Sequence, residues 1–147
     1  MGKRSTKVRH ANFKDFESRS ANSRYFRITS DMMNSAAWKE LDPYDITTYA
    51  YLKSKYYVKK DGTDNVRDIS LTYEEMTSLM SQNRFKKSID KLISVGLIDL
   101  EIHNPHTRKA TIYSLSKRWH SYKTQGFKPA SRPVAARKSK TLCHQET

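Results

Sequence analysis

The apolar positions between residues 81 and 97 recur at helical spacing and predict the best-defined helix of the chain. Phe85, Ile89 and Leu92 lie four and three residues apart, so they share one helical face. The opposite face is polar and mostly basic, and it carries Asn83, Lys86, Lys87 and Asp90. A helix with an apolar back and a basic front is typical of one that packs on a core and contacts a polyanionic partner.

Residues near the helix ends support this prediction and extend it to the preceding part of the chain. Ser81 is a favourable N-cap, and Gly96 lies where a left-handed residue would end the helix. Asp42 followed by proline is a strong helix start, and Thr72 with Glu75 fits a capping box. The predicted helices cover residues 31–41, 43–57, 73–80 and 81–95, and residues 68–71 form a very short strand. The last two helices follow each other so closely that they predict a helix-turn-helix.

After residue 96 the period changes from helical to alternating. Ile98, Leu100 and Ile102 face one way and the residues between them are polar, which predicts a strand. Residues 104–107 supply a turn and residues 108–115 return as a second strand, so the two form a hairpin. The predicted fold class is α+β and mainly α: a winged helix-turn-helix whose small antiparallel hairpin is the wing.

The charge of the chain is concentrated at its two ends. Lys and Arg outnumber Asp and Glu by 28 to 15 in 147 residues, a net charge of +13. Residues 1–24 carry +5, residues 25–119 carry +3, and residues 120–147 carry +5. The composition predicts a basic, disordered N-terminal arm at 1–24, one domain at 25–122, and a basic, disordered tail at 123–147. Basic arms on a near-neutral body are common in nucleic-acid-binding proteins, although they can also serve solubility alone.

Other patterns argue against an enzyme, a cofactor or a metal. The chain has one cysteine, Cys143, and no Gly-rich phosphate loop or nucleophile elbow. His103 and His106 form H-x-x-H in a turn, without further residues to complete a metal site. There is no apolar run long enough for a membrane span and no signal peptide, so we expect a cytoplasmic protein without membrane contact.

Several strings resemble the winged-helix domain of replication-associated proteins from phages, plasmids and integrative elements. They are FRITSDMMNSAAWKELDPYDITTYAYLKSKY, DISLTYEEM, GLIDLEI and IYSLSKRW, and together they lie within residues 25–122. The resemblance implies that residues 81–95 are the recognition helix, that residues 103–109 are the wing tip, and that the role is DNA binding in replication or its control. This chain departs from the family by placing Asp90 on the reading face and by lacking glycine in the inter-helix turn.

The residues expected to contact DNA lie on the predicted recognition helix and the wing. Lys86 and Lys87 suit phosphates or guanine, and the two amides of the first turn suit adenine. Arg84, on the flank, suits a phosphate or a salt bridge with Glu75 or another local acid. The predicted DNA-binding residues are Gln82, Asn83, Arg84, Lys86, Lys87, Lys91, Arg108 and Lys109. The alternative is that these residues contact no DNA. The two lysines would then be a solvated pair, and the two amides would simply be favourable near a helix start.

The pattern leaves three functions open. The first is a protein that binds double-stranded DNA for a mobile element, in replication or conjugative DNA processing, together with a replication or conjugation protein. The second is a transcriptional regulator of the same fold, and the third is an adaptor that docks a replication enzyme while its arms bind nucleic acid nonspecifically. The oligomeric state is not determined by any of these patterns.

Overall fold

A computed structural model describes residues 25–104 and 107–133 of the chain. Within them it is an α+β structure, mainly helical, with five α-helices and a three-stranded antiparallel sheet, which confirms the predicted α+β, mainly helical class. The elements are α1 (Ser30–Asn34), α2 (Ala36–Lys39), α3 (Pro43–Ser54), β1 (Ile69–Ser70), α4 (Tyr73–Met76), α5 (Gln82–Val95), β2 (Ile98–Ile102), β3 (Ile112–Leu115) and a 3-10 turn (Arg118–Ser121). The predicted arm at 1–24 and residues 134–147 of the predicted tail lie outside the described residues.

The sheet contains the predicted hairpin and adds β1 to it, in the order β1-β3-β2. Ile98 pairs with Leu115 at the base of the hairpin, and Ile69 of β1 pairs with Tyr113. The prediction that the second strand begins at residue 108 is wrong, because β3 begins at Ile112. The register shifts between residues 100 and 102, and the Asn104 side chain donates to the carbonyl of residue 110 at 2.9 Å, so this part of the chain forms a loop.

The helix predicted over residues 31–41 is wrong as a single element, because the chain is extended at Ser35 (ψ 154°) between α1 and α2. The Ser35 hydroxyl donates to the carbonyl of Met32 at 2.6 Å and accepts from the Trp38 N–H at 3.2 Å. A short polar side chain that bonds the backbone in this way competes with helix continuation. Met32 is buried in the core, whereas its neighbour Met33 is 52% exposed.

Helices α3 and α4 are both shorter than predicted. Helix α3 ends at Ser54, whose hydroxyl donates to the Tyr51 carbonyl at 2.7 Å, rather than near residue 57. Helix α4 ends at Met76, whose carbonyl accepts from the N–H groups of residues 79 and 80, so the chain closes into a turn before α5. Glu75 reaches back to the Thr72 N–H at 2.8 Å, as the capping box predicts.

The core lies between α3, α5 and the sheet, and the apolar face of α5 supplies much of it. Phe85, Ile89 and Leu92 are all buried, as their spacing predicts. The rest of the core comes from α5 itself and from the chain before and after it: Met32, Ala37, Tyr49, Leu52, Ile69, Leu71, Met76, Met80, Ile93, Val95, Leu97, Ile98 and Tyr113. Burial of this apolar surface fixes which side of α5 faces solvent.

The base of the structure is closed by the 3-10 turn against the end of α5. The Trp119 N–H donates to the Gly96 carbonyl at 3.0 Å, and Trp119 and Tyr122 pack against the core, as expected. The Arg118 guanidinium donates to the carbonyl of Ile93 at 2.8 Å and to the carboxylate of Asp99. The Ile93 carbonyl therefore accepts two hydrogen bonds at the helix end, one from Arg118 and one from the Gly96 N–H.

Candidate nucleic-acid interface

Both ends of α5 are formed as the sequence predicts. Ser81 is the N-cap, and its hydroxyl accepts from the Arg84 N–H at 3.3 Å. Gly96 ends the helix in the left-handed region (φ 85°, ψ 21°), and its N–H bonds the carbonyls of residues 92 and 93. No acidic residue occupies the first turn, so no carboxylate of α5 itself offsets the partial positive charge of its N-terminus.

The exposed face of the N-terminal half of α5 carries four of the predicted DNA-binding residues: Gln82, Asn83, Lys86 and Lys87. Within the described part of the chain, their side chains make no hydrogen bond or ion pair. An amide offers a donor and an acceptor together, and an ammonium offers three donors. This face is therefore available for a ligand rich in acceptors, such as a phosphate backbone or the edge of a base pair.

Asp90, the acid on the basic face, is paired with Arg132 from the segment that follows the domain. The Arg132 Nη2 donates to Asp90 Oδ2 at 2.8 Å and to the Lys86 carbonyl at 3.3 Å, and its Nε also donates to Asp90. The hydrogen bond to Asp90 raises the pKa of the Arg132 guanidinium. Asp90 is thus neutralised, and an arginine covers the middle of the exposed face.

Residues 128–132 lie along the C-terminal half of α5. The carbonyl of Lys128 accepts from Arg118 Nη1 at 2.8 Å. A groove of about 540 Å³ separates this segment from α5 and is lined by Lys87, Asp90, Lys91, Ser94, Ser131 and Arg132. The sequence assigned residues 123–133 to the disordered tail and did not anticipate these contacts. The only signal that could have indicated them is the isolated acid at position 90 on an otherwise basic face.

Arg84, predicted to contact DNA from the flank, turns toward α3. Its Nη2 donates to the buried carboxylate of Asp45 at 2.8 Å and to the carboxylate of Asp42, and its guanidinium lies 5.1 Å from the ring of Tyr44. The alternative of a salt bridge to a local acid is therefore the observed one. The partner is not Glu75, which pairs with Lys55.

Lys91, on the same flank, shares one acid with a lysine from the segment after the domain. Its Nζ lies 3.7 Å from the carboxylate of Glu40, which also accepts from Lys123. The hydrogen bond from Lys123 holds the pKa of Glu40 below its ordinary value. Lys91 is thus less free than the lysines of the N-terminal half of α5.

The two basic residues of the predicted wing, Arg108 and Lys109, are exposed. The Lys109 N–H donates to the Thr107 hydroxyl at 3.3 Å, which shapes the returning side of the loop. Residues 105 and 106 lie outside the described part, so the predicted turn histidine at position 106 is not described. His103 is half-buried, and the described residues contain no group of three potential metal ligands.

Four carboxylates that lie on α5 or bind cations on it have cationic partners among the described residues. Asp42 and Asp45 bind Arg84, Glu40 binds two lysines, and Asp90 binds an arginine. Because these acids are compensated, the charges that remain on the exposed face of α5 are those of Lys86 and Lys87. The local field there is positive although the body of the chain is nearly neutral.

Comparison with protein-family models, with curated proteins and with solved structures finds no match for this chain. No helix among residues 25–104 and 107–133 is long and apolar enough to cross a membrane.

Proposed function

We propose that this chain is a DNA-binding protein with a winged helix-turn-helix fold, in which α5 enters the major groove and the β2–β3 hairpin is the wing. The order α3, β1, α4, α5, β2, β3 supports this proposal, as does the tight turn between α4 and α5. In helix-turn-helix proteins the second helix of the pair lies in the groove, and its N-terminal residues contact the base edges.

The observation that carries the proposal is the contrast between the two sides of α5. Its apolar face is buried in the core, and the acids near its flanks are bound to cations. Its front presents two amides and two lysines without partners among the described residues. Such a front pairs with acceptors, and a duplex offers acceptors on both its bases and its phosphates.

The contacts divide into two kinds. Gln82 and Asn83, in the first turn, would read base edges, and each amide can pair with adenine. Lys86 and Lys87 would bind phosphates at the groove edge, together with Arg108 and Lys109 from the wing. Residues 1–24 and 134–147 would add charge that is independent of sequence. We leave Arg84 out of this interface because it is bound to two carboxylates.

The role we propose is replication or conjugative DNA processing for a bacterial mobile element, in the cytoplasm and alongside a replication or conjugation protein. It rests on the resemblance of residues 25–122 to the winged-helix domain of replication-associated proteins. We propose no cofactor, metal or catalytic residue, since the candidate interface consists of donors and cations.

A salt titration of the full chain on duplex DNA tests the proposal. If six to eight phosphates are contacted, log K falls against log[salt] with a slope of about −5 to −7. A slope near zero would contradict DNA binding. Affinity that survives mutation of α5 and the wing but disappears when the arms are removed would favour the adaptor function instead.

A further inference from the structure

A second candidate surface lies between residues 25–27 and the side of α3 that carries Ala50, Tyr51 and Ser54. The groove there has a volume of about 450 Å³, and a smaller extension of about 180 Å³ continues along α3 past Phe26. The described residues on α3 that line the extension are Ala50, Tyr51 and Ser54. The groove is thus built from two separate parts of the chain and runs along a helix.

The groove faces away from α5. Helix α3 buries Asp45, Thr48, Tyr49 and Leu52, and the first two contact the α4–α5 unit through Arg84 and Met80. At 100° per residue, positions 50, 51 and 54 fall on the opposite side of the helix. A duplex held by α5 would therefore leave this groove open.

The lining is rich in aromatic rings and positively charged. Five rings line the two parts of the groove: Tyr25, Phe26, Tyr51, Tyr56 and Tyr57. The residues Tyr25, Phe26 and Tyr51 are 79%, 40% and 43% exposed. The charged residues among those that line it are Arg27 and Lys53, and both are cations. Asp64 accepts from the Tyr56 hydroxyl at 3.5 Å and is not among the lining residues.

Both cations are held next to aromatic rings. The Arg27 guanidinium lies 5.9 Å from the centre of the Tyr25 ring, and the Lys53 ammonium lies 5.7 Å from that of Tyr49. Burial lowers the pKa of Lys53, and a phosphate bound beside it would act in the opposite direction by favouring the charged ammonium. The groove is thus lined by both positive charges and aromatic rings.

We propose that this groove binds single-stranded nucleic acid, with unpaired bases stacked on Phe26 and Tyr51 and the phosphates on Arg27 and Lys53. Proteins that bind single strands combine a positive groove with rings on which successive bases stack. A duplex cannot use such rings, because its bases are stacked on each other. An amphipathic protein helix would prefer an aliphatic groove, and here the aliphatic lining is limited to Ala50 and Val58.

This inference does not depend on the function proposed for α5. If both proposals hold, the protein binds a duplex on one side and an unpaired strand on the other, as at a junction or a locally opened site.

The test is fluorescence anisotropy of the full chain with labelled dT15, U15 and a 15-base-pair duplex. The double variant F26A/Y51A should bind dT15 or U15 about a hundredfold more weakly, because it removes two stacking contacts and each contributes about tenfold. Duplex affinity should be unchanged, which also shows that the variant is folded. The matched control is Y44A, which removes an exposed ring of α3 outside the groove.

A charge variant separates stacking from electrostatics. R27Q/K53Q should reduce the slope of log K against log[salt] for dT15 by about 1.4, since each phosphate contact with a single strand contributes about 0.7. Comparison of dT15 with U15 distinguishes DNA from RNA as the ligand. Wild-type affinity and slope in both double variants would overturn the proposal. So would a wild-type chain that dimerises in light scattering and becomes monomeric in F26A/Y51A, because the groove would then be a self-interface.

Discussion

Helices α3 and α5 pack against each other, but they differ in how polar their buried faces are. Helix α5 buries Phe85, Ile89 and Leu92 and turns its charged residues outward. Helix α3 buries Asp45 and Thr48 and leaves Tyr51 43% exposed. The first follows the amphipathic rule for a surface helix, and the second departs from it.

The departure is possible because each buried polar group of α3 has a partner. The Asp45 carboxylate accepts from Arg84, and the Thr48 hydroxyl donates to the Tyr44 carbonyl at 2.8 Å and contacts the Met80 sulfur at 3.7 Å. Burying these groups without bonds would be costly. The orientation of α5 therefore depends on its own periodicity, whereas that of α3 depends on groups supplied by its neighbours. The aromatic rings that α3 leaves outside line the second groove.

The largest expected effect is a loss of stability when the glycine that ends α5 is replaced. Gly96→Ala places a Cβ 2.7 Å from the Cβ of Arg118 in addition to the left-handed strain (φ 85°), so we expect the free energy of unfolding to fall by about 3 kcal/mol. Gly62→Ala is the matched control, because Gly62 has the same φ and nothing within 4 Å of the added carbon; it should cost about 1 kcal/mol. Urea denaturation measures both. Equal losses would mean that Arg118 does not restrict this position.

The next largest loss of stability is expected when the ion pair between α3 and α5 is broken. Arg84→Met leaves Asp45, which is 2% exposed, without its cation, so we expect a loss of about 2 kcal/mol. Lys55→Met removes the more exposed pair with Glu75 and should cost less than about 1 kcal/mol. Asp45→Asn in the Arg84→Met background should recover part of the loss. If Arg84→Met is no worse than Lys55→Met, the orientation of α3 does not depend on this pair.

A smaller effect, on duplex affinity, is expected when Arg132 is replaced, because Arg132 neutralises the acid on the exposed face of α5. Arg132→Gln uncovers Asp90 beside the proposed phosphate contacts, so duplex affinity should fall by about three- to tenfold. Adding Asp90→Asn should restore most of it. Lys117→Gln removes the same charge from an exposed position without uncovering an acid and should change affinity less. A rise in affinity for Arg132→Gln would show instead that residues 128–132 obstruct the DNA-binding face.

The features that the sequence predicted correctly depend on residues close together in the chain. The buried face of α5 follows from its period, and its two ends follow from Ser81 and Gly96. The hairpin follows from the alternation after residue 97 and one turn. Local spacing and local capping determine all of these, so no knowledge of the rest of the fold is needed.

The features that it missed depend on side chains that are far apart or on competition for one backbone group. Arg84 lies 39 residues from Asp45, and Arg132 lies 42 residues from Asp90, and neither pairing follows from spacing. The extended residue at Ser35 reflects a hydroxyl that bonds the backbone inside an otherwise helical pattern. The aromatic groove joins residues 25–27 to α3, so only the folded chain brings its rings together.

The central claim is that the exposed front of α5 contacts DNA, and removing its two free lysines tests it most directly. Measured by anisotropy on one duplex across a salt series, K86A/K87A should bind about tenfold more weakly than wild type at moderate salt, with a slope reduced by about 1.8. The control K59A/K60A removes the same charge from an exposed loop after α3 and should retain most of the affinity and slope. Equal losses in the two variants, or none in K86A/K87A, would contradict the assignment of α5 as the DNA-contacting helix.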